Sequence, residues 1–233
     1  MKGTGQFCSI ARALELLGGR WTLLIVRELI CGSHRFNDIR RGIQRISRTV
    51  LSERLQALIH AGAVARSESS TGPEYTLTPA GLELLGVIGE LGRWGQRWLP
   101  RQAHVEDLDL EPLLIDMRRR VNFDALPREP LVVRLEPDGH RPSYLLLRGT
   151  EASLCNHNPG YPEPLSLYGP LWALAAWWRG DLAFREAQRR GLRLEGARPL
   201  IRAFPGWFDR YVFADVEPAA GQDFVPLSVA EPA

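Results

Sequence analysis

Lysine is almost missing from this chain: of 29 cationic residues only Lys2 is a lysine, so positive charge is carried by arginine. Arginine is the better bidentate partner for phosphate, although a genomic preference for arginine codons gives the same composition. Cysteine is also scarce. Cys8, Cys31 and Cys155 are an odd number at wide spacings, without a Cys-x-x-Cys pair or a secretion signal, which argues for reduced thiols and against a disulfide framework. Long apolar runs are absent. The longest stretch without a charged side chain, Pro164 to Trp178, is shorter than the roughly 20 residues of a membrane span and is interrupted by Pro170. Arg12, Glu15, Arg20 and Arg27 break up every candidate signal-peptide core. These absences predict a cytoplasmic protein with no membrane partner.

What remains is an ordinary globular composition, 45% hydrophobic and 24% charged over 233 residues, enough for one large domain or two modest ones. The formal net charge of +2 conceals an asymmetry: residues 1–72 carry +6 and the remainder −4. Such imbalance nominates the basic part for nucleic-acid contact. Within it Arg35, Arg40, Arg41, Arg45 and Arg48 face a single acidic residue, Asp38.

Apolar periodicity predicts helices over 8–17 (Ile10, Ala13, Leu14, Leu17), 21–30 (Trp21, Leu24, Ile25, Leu29) and 36–41 (Phe36, Ile39). Ser47 is a good N-cap for a fourth, in which Leu51, Leu55, Leu58 and Ile59 form a stripe while Arg48, Thr49, Ser52, Glu53 and Gln56 lie away from it. Two short strands around the polar tip 67–73 read as a hairpin. Thr78 and Pro79 then open a helix running to about Leu99. Its apolar surface, including Leu84, Val87, Ile88, Leu91, Trp94 and Trp98, is too broad for one small neighbour and predicts a two-fold dimer together with the helix at Ile10 to Leu17.

Beyond a polar, acidic stretch at 100–109 the texture changes. A helix near 110–121 precedes strands at 131–136 and 143–148 joined through Asp138-Gly139, a hairpin signal. A third strand is predicted at 152–156, helices at 168–178 and 181–190 (the latter capped by Asp181), a strand at 192–194 and a terminal helix near 198–208. The expected organisation is therefore residues 1–99, a linker at 100–109, a second domain at 110–215 and a tail at 216–233.

Helix, helix, helix, turn, helix, hairpin, helix is the order of a winged helix-turn-helix, whose last helix before the wing enters the major groove. The residues say more than the order. Cys8 followed by Ala11-Arg12-Ala13-Leu14, then Gly18-Gly19-Arg20-Trp21-Thr22-Leu23-Leu24-Ile25, Gly32 with Arg35-Phe36-Asn37-Asp38-Ile39, Ile46-Ser47, Leu51-Ser52-Glu53-Arg54-Leu55, Ala61-Gly62 and Tyr75-Thr76-Leu77-Thr78-Pro79-Ala80-Gly81 resemble the HxlR family of bacterial winged-helix regulators. The resemblance implies a dimeric regulator of transcription that binds double-stranded DNA. It places Arg48, Thr49 and Ser52 before base edges, with Ser47 and Arg35 nearer the phosphates, and Arg45 is a further DNA-binding candidate. Glu53 is read as an ion-pair partner of Arg54 or Arg48, with acceptance from cytosine as its other role. The wing has no Lys or Arg beyond Arg66, which argues against strong minor-groove contact. Cys8 stands where some family members carry a cysteine that senses oxidants or electrophiles; filling the dimer base is the competing role.

The second half carries no nucleophile elbow, phosphate loop or catalytic histidine, so no enzyme activity and no cofactor are expected, and the pair Cys155 and His157 is too little for a metal. Its aromatic weight stands out. The run from Leu171 to Arg202, including Trp178-Arg179-Gly180-Asp181 and Gly191-Leu192-Arg193-Leu194-Glu195-Gly196, resembles sterol-carrier-protein-2-like domains, which implies a helix-on-sheet layer with an apolar cavity. The fold class expected is α+β: an N-terminal winged helix-turn-helix domain, then this α/β layer. By that resemblance Trp172, Trp177, Trp178, Phe204, Trp207 and Phe208 are candidate effector contacts, with Arg179 or Arg202 as a polar anchor. Rival readings are a regulator switched through Cys8 with a scaffold C-terminal domain, and a ligand or lipid carrier that does not act on DNA.

Overall fold

A computed structural model describes residue 5 and residues 7–100 and 108–221. They form two units, which part at Gly92 and Arg93, ahead of the stretch read as a linker. Most of that stretch, 101–107, and the end of the tail, 222–233, lie outside the described residues.

The first unit contains α1 (Ser9–Leu17), α2 (Thr22–Ile30), α3 (Phe36–Gly42), α4 (Arg48–His60), the antiparallel pair β1 (Val64–Ser69) and β2 (Gly72–Leu77), α5 (Pro79–Leu82) and the start of α6 (Leu84–Trp98). Caps set its boundaries. Ser47 Oγ accepts from the Val50 amide at 3.2 Å, and Thr78 Oγ1 accepts from the Gly81 amide at 3.2 Å while donating to the Gly62 carbonyl at 2.6 Å. The helix expected to run unbroken from Thr78 to Leu99 is thus two pieces, interrupted at Glu83. Ile25, Val26, Leu29, Ile39, Ile46, Leu51, Leu55 and Leu58 make one buried cluster, closed on the wing side by Val64 and Tyr75.

In the second unit α7 (Leu110–Arg119) precedes a five-stranded sheet of order β5-β4-β3-β6-β7. Its strands are β3 (Leu131–Pro137), β4 (Ser143–Arg148), β5 (Glu151–Cys155), β6 (Leu165–Gly169) and β7 (Arg193–Gly196). β3 runs parallel to β6, and every other pair is antiparallel. Between β6 and β7 lie α8 (Leu171–Arg179) and α9 (Phe184–Arg189), and α10 (Arg198–Ala203) leads into a 3-10 turn at Phe204–Trp207. Leu131, Val133, Leu135, Leu145, Leu147, Leu165 and Leu167 share a core with Leu114 and Met117 of α7 and with α8.

Two expectations for this unit are corrected. Tyr168 does not open a helix; it lies in β6, a central strand, and α8 begins at Leu171 after Pro170. Asp181 does not cap the next helix, which starts at Phe184 after Ala183; its side chain is fully buried and pairs with Arg179 at 2.6 Å. Among the described residues no helix is long and apolar enough to cross a membrane.

Candidate nucleic-acid interface

The amphipathic division of α4 defines the site. Leu51, Leu55 and Leu58 are buried, which turns Arg48, Thr49 and Ser52 outward, and all three are exposed together with Arg45 and the capping Ser47. The basic residues of the preceding α3 and its turn, Arg40, Arg41 and Arg45, lead into this helix, so its N-terminal end is the positive end in both backbone dipole and side-chain charge. Such an arrangement presents hydrogen-bond donors and cations to an anionic groove.

Arg35 is held more closely than the sequence suggests. At the N-cap of α3 it donates to Thr71 Oγ1 and meets Glu74 Oε1 at 3.4 Å, and its backbone bridges Glu74. Alongside, the Tyr75 amide donates to the His34 carbonyl at 2.8 Å and His34 Nδ1 lies 3.2 Å from the Tyr75 carbonyl. The start of α3 therefore serves as a third edge to the wing. Arg66, the wing's own arginine, is engaged by Glu68 at 2.7 Å.

Between α2 and α3 stands a buried carboxylate that sequence reading missed. Glu28 of α2 is 1% exposed; it accepts from Arg27 Nη2 at 2.7 Å and from Ser33 Oγ at 3.2 Å, and Arg27 Nη2 also donates to the Gly42 carbonyl at 3.1 Å. A Cβ on Gly42 would stand 2.0 Å from Glu28 Oε2, so only glycine allows α3 to close on this carboxylate. A charge in an otherwise apolar helical register was the available signal.

Cys8 is the N-cap of α1 and half-buried; the backbone N–H groups of Ala11 and Ile10 hold its thiol below its ordinary pKa by favouring the thiolate. Apolar side chains are open on these helices: Phe7, Ile10 and Leu14 at α1, and Leu82, Leu85, Val87, Leu91, Trp94 and Trp98 of α5 and α6 are each at least half exposed. Neither α1 nor α6 contains a buried residue.

The effector candidates take several positions. Trp177, Trp178, Phe204, Trp207 and Phe208 are buried and in mutual contact, with centroids 5.3 Å apart for Phe204 and Phe208 and 5.7 Å for Phe204 and Trp207. Trp178 Nε1 donates to Asp116 Oδ2 at 2.7 Å, whereas the buried Trp207 Nε1 has no acceptor. Trp172 is half-buried, Arg202 is exposed, and Arg179 pairs with Asp181. Among the described residues no group of three or more His, Cys, Asp or Glu could hold a metal ion.

Comparison with known proteins bears on the first unit. A family model described as HxlR-like helix-turn-helix matches residues 16–103. The HTH-type transcriptional regulator YvaP of Bacillus subtilis is 38% identical over 91 residues, which cover 38% of this chain and 84% of that protein. The chain belongs to the HxlR-like helix-turn-helix family. Another HTH-type transcriptional regulator, from Mycobacterium tuberculosis, is 46% identical over 96 residues; the match covers 40% of this chain and 60% of that relative's length. Of solved structures, the reduced form of the transcriptional regulator YodB from B. subtilis is 36% identical with a TM-score of 0.35, covering 39% of this chain and 93% of that one. The redox regulator HypR in its reduced form is 28% identical with a TM-score of 0.36, covering 38% and 91%.

Proposed function

We propose that this HxlR-family chain is a homodimeric transcriptional regulator that reads operator DNA with α4. The observation that carries the reading is the outward face of α4: Arg48, Thr49 and Ser52 exposed beyond a Ser47 cap, with their helix fixed from behind by Leu51, Leu55 and Leu58. Arg48 suits guanine and Thr49 the thymine methyl, while Ser47 and Arg45 lie where phosphate would approach. The exposed apolar surfaces of α1 and α6 support a two-fold partner of the same chain, since apolar patches of this extent seldom remain in water. In such a dimer the two recognition helices meet successive major grooves, about 34–36 Å apart. The test is equilibrium binding to a duplex selected by the protein from a randomised pool. Sequence-dependent binding that weakens as salt rises, by a dimer in light scattering, is expected. A monomer binding all duplexes alike contradicts it.

Control is assigned to the second unit. Its sheet packed against α7 and α8 supports the resemblance to sterol-carrier-protein-2-like domains, and the unpartnered N–H of Trp207 supports an apolar or aromatic effector that brings one hydrogen-bond acceptor. A ligand acts on DNA affinity only by binding the two conformations unequally. Saturable quenching of tryptophan fluorescence, with release from DNA, is the expected readout.

A second reading has its own observation. Cys8 carries a thiol biased toward thiolate at the head of α1, on the surface proposed for dimerisation, so oxidation or alkylation there would alter the dimer directly. Diamide that releases wild type but not Cys8→Ser from DNA would favour this trigger over the effector.

A further inference from the structure

The turn between α1 and α2 is the most strained backbone in the first unit. Trp21, the N-cap of α2, has φ 78° and ψ −18°, the only non-glycine residue of positive φ among the described residues. A bulky aromatic residue adopts this conformation only where its surroundings over-determine it. Here they do. The Arg20 guanidinium lies 4.5 Å over the Trp21 ring, the Thr22 amide donates to the Gly19 carbonyl at 3.0 Å, and Trp21's own carbonyl accepts from Ile25.

Against this turn rests a side chain from α4. A Cβ on Gly19 would stand 2.9 Å from Arg54 Cζ and 3.0 Å from its Nη1, and 3.1 Å from Thr22 Oγ1. The planar guanidinium thus lies where any other residue at 19 would put its side chain. Arg54 Nε and Thr22 Oγ1 are both buried without a hydrogen-bond partner, so no hydrogen bond of either atom accounts for the placement. The fit is steric: a flat cation on bare backbone.

We infer that Arg54 is a positioning residue for DNA reading, holding α4 in register by seating its guanidinium on Gly19. The consequence is mechanical. α1, which carries Cys8 and the exposed Ile10 and Leu14, ends at Gly18, so any displacement of α1 reaches α4 through this contact. Arg54 also differs in kind from Arg48, because it acts through the protein and touches no base or phosphate. This inference rests on the reading of α4 as the recognition element.

The test compares wild type, Gly19→Ala, Arg54→Ala, Arg54→Lys and the Gly19→Ala/Arg54→Ala double variant. Each is bound to the duplex that wild type selects from a randomised pool and to a scrambled duplex of equal length, with circular dichroism melts to confirm folding. Each single variant should lose about tenfold in preference for the selected duplex, while binding to the scrambled duplex and its salt slope stay unchanged. Lysine keeps the charge and loses the plane, so it should fail like alanine. The double variant should be no worse than the worse single, since both break one contact. The inference is overturned if Arg54→Ala weakens both duplexes equally and lowers the salt slope by about one, the mark of a phosphate contact. It is overturned equally if Gly19→Ala or Arg54→Lys discriminates like wild type, or if the two losses multiply. Should Arg54→Ala not fold, those two variants decide. A wild type that selects no sequence removes the DNA reading itself, and Arg54's role with it; a discriminating wild type beside equally discriminating variants removes only this inference.

Discussion

Arg35 at the N-cap of α3 faces Glu74 of β2 across 3.4 Å, with Thr71 as its second partner, so an arginine proposed to meet phosphate is tied to the wing. Both side chains are partly exposed, 48% and 32%, and an exposed pair of this kind contributes about 0–1 kcal/mol. The contact therefore costs little to exchange for DNA. Glu74→Gln should leave stability within about 1 kcal/mol and steepen the salt dependence of DNA binding by about one unit, through one more phosphate contact from Arg35. Fluorescence anisotropy over a salt series reads this directly. An unchanged slope would remove Arg35 from the interface.

Arg48 differs, being exposed at the first turn of α4 with its helix fixed behind it. Arg48→Ala should cost about 1–3 kcal/mol on the selected duplex and much less on a scrambled one, since a bidentate base contact carries sequence information. Equal losses on the two duplexes would make Arg48 a phosphate ligand.

The first unit was legible because its signals are local. Ser47 and Thr78 cap where the sequence says they should, and Leu51, Leu55 and Leu58 leave one polar face on α4. The second unit was harder at its centre. Leu165 to Trp178 is an uncharged run in which a strand buried in mid-sheet and a buried helix carry the same apolar signal, so Tyr168 was assigned to the wrong element. Asp181 looked like a cap because Asp is a common one; its burial against Arg179 depends on tertiary structure that no local pattern encodes. The contacts behind the interface, Glu28 with Gly42 and Arg54 with Gly19, join residues distant in sequence and were invisible for the same reason.

Glu28 offers a test of that hidden scaffold. Glu28→Ala should destabilise the fold by about 1–3 kcal/mol, because Ser33 loses a buried acceptor while Arg27, 41% exposed, recovers water. Gly42→Ala should also destabilise, by forcing a methyl to within 2.0 Å of the carboxylate. Combined, the two should cost less than their sum, as the new methyl enters the space the carboxylate leaves. Urea denaturation of the four proteins measures the coupling; strict additivity would mean that the two groups do not share that space.

Cys8 gives a pH dependence of known sign. Its folded pKa lies below the unfolded one, so its stabilising contribution is complete above the unfolded value and is lost as pH falls through the folded value. Iodoacetamide alkylation, followed on a Cys31→Ser/Cys155→Ser background, should have its midpoint at lower pH in native than in urea-unfolded protein. Coincident midpoints would leave Cys8 an ordinary thiol and weaken the redox reading.

The two tryptophans of the second core separate packing from hydrogen bonding. Trp178 and Trp207 are both almost fully buried, at 2% and 1% exposure, yet only Trp178 spends its N–H on a partner, the Asp116 carboxylate at 2.7 Å. Substitution by Phe removes the same volume from each site, so the difference between the two variants isolates the polar group. Trp178→Phe leaves the half-buried Asp116 carboxylate without its indole donor and should cost about 1–3 kcal/mol more than Trp207→Phe, which removes a donor that has no acceptor. The same pair tests the proposed control by an effector. If an effector supplies the acceptor missing at Trp207, then Trp207→Phe should bind such a compound more weakly while losing only the stability that the smaller buried ring costs, and DNA release should shift to higher compound concentration. If Trp207→Phe responds to every compound as wild type does, the orphan N–H is a packing compromise and the assignment of an effector to that indole is wrong.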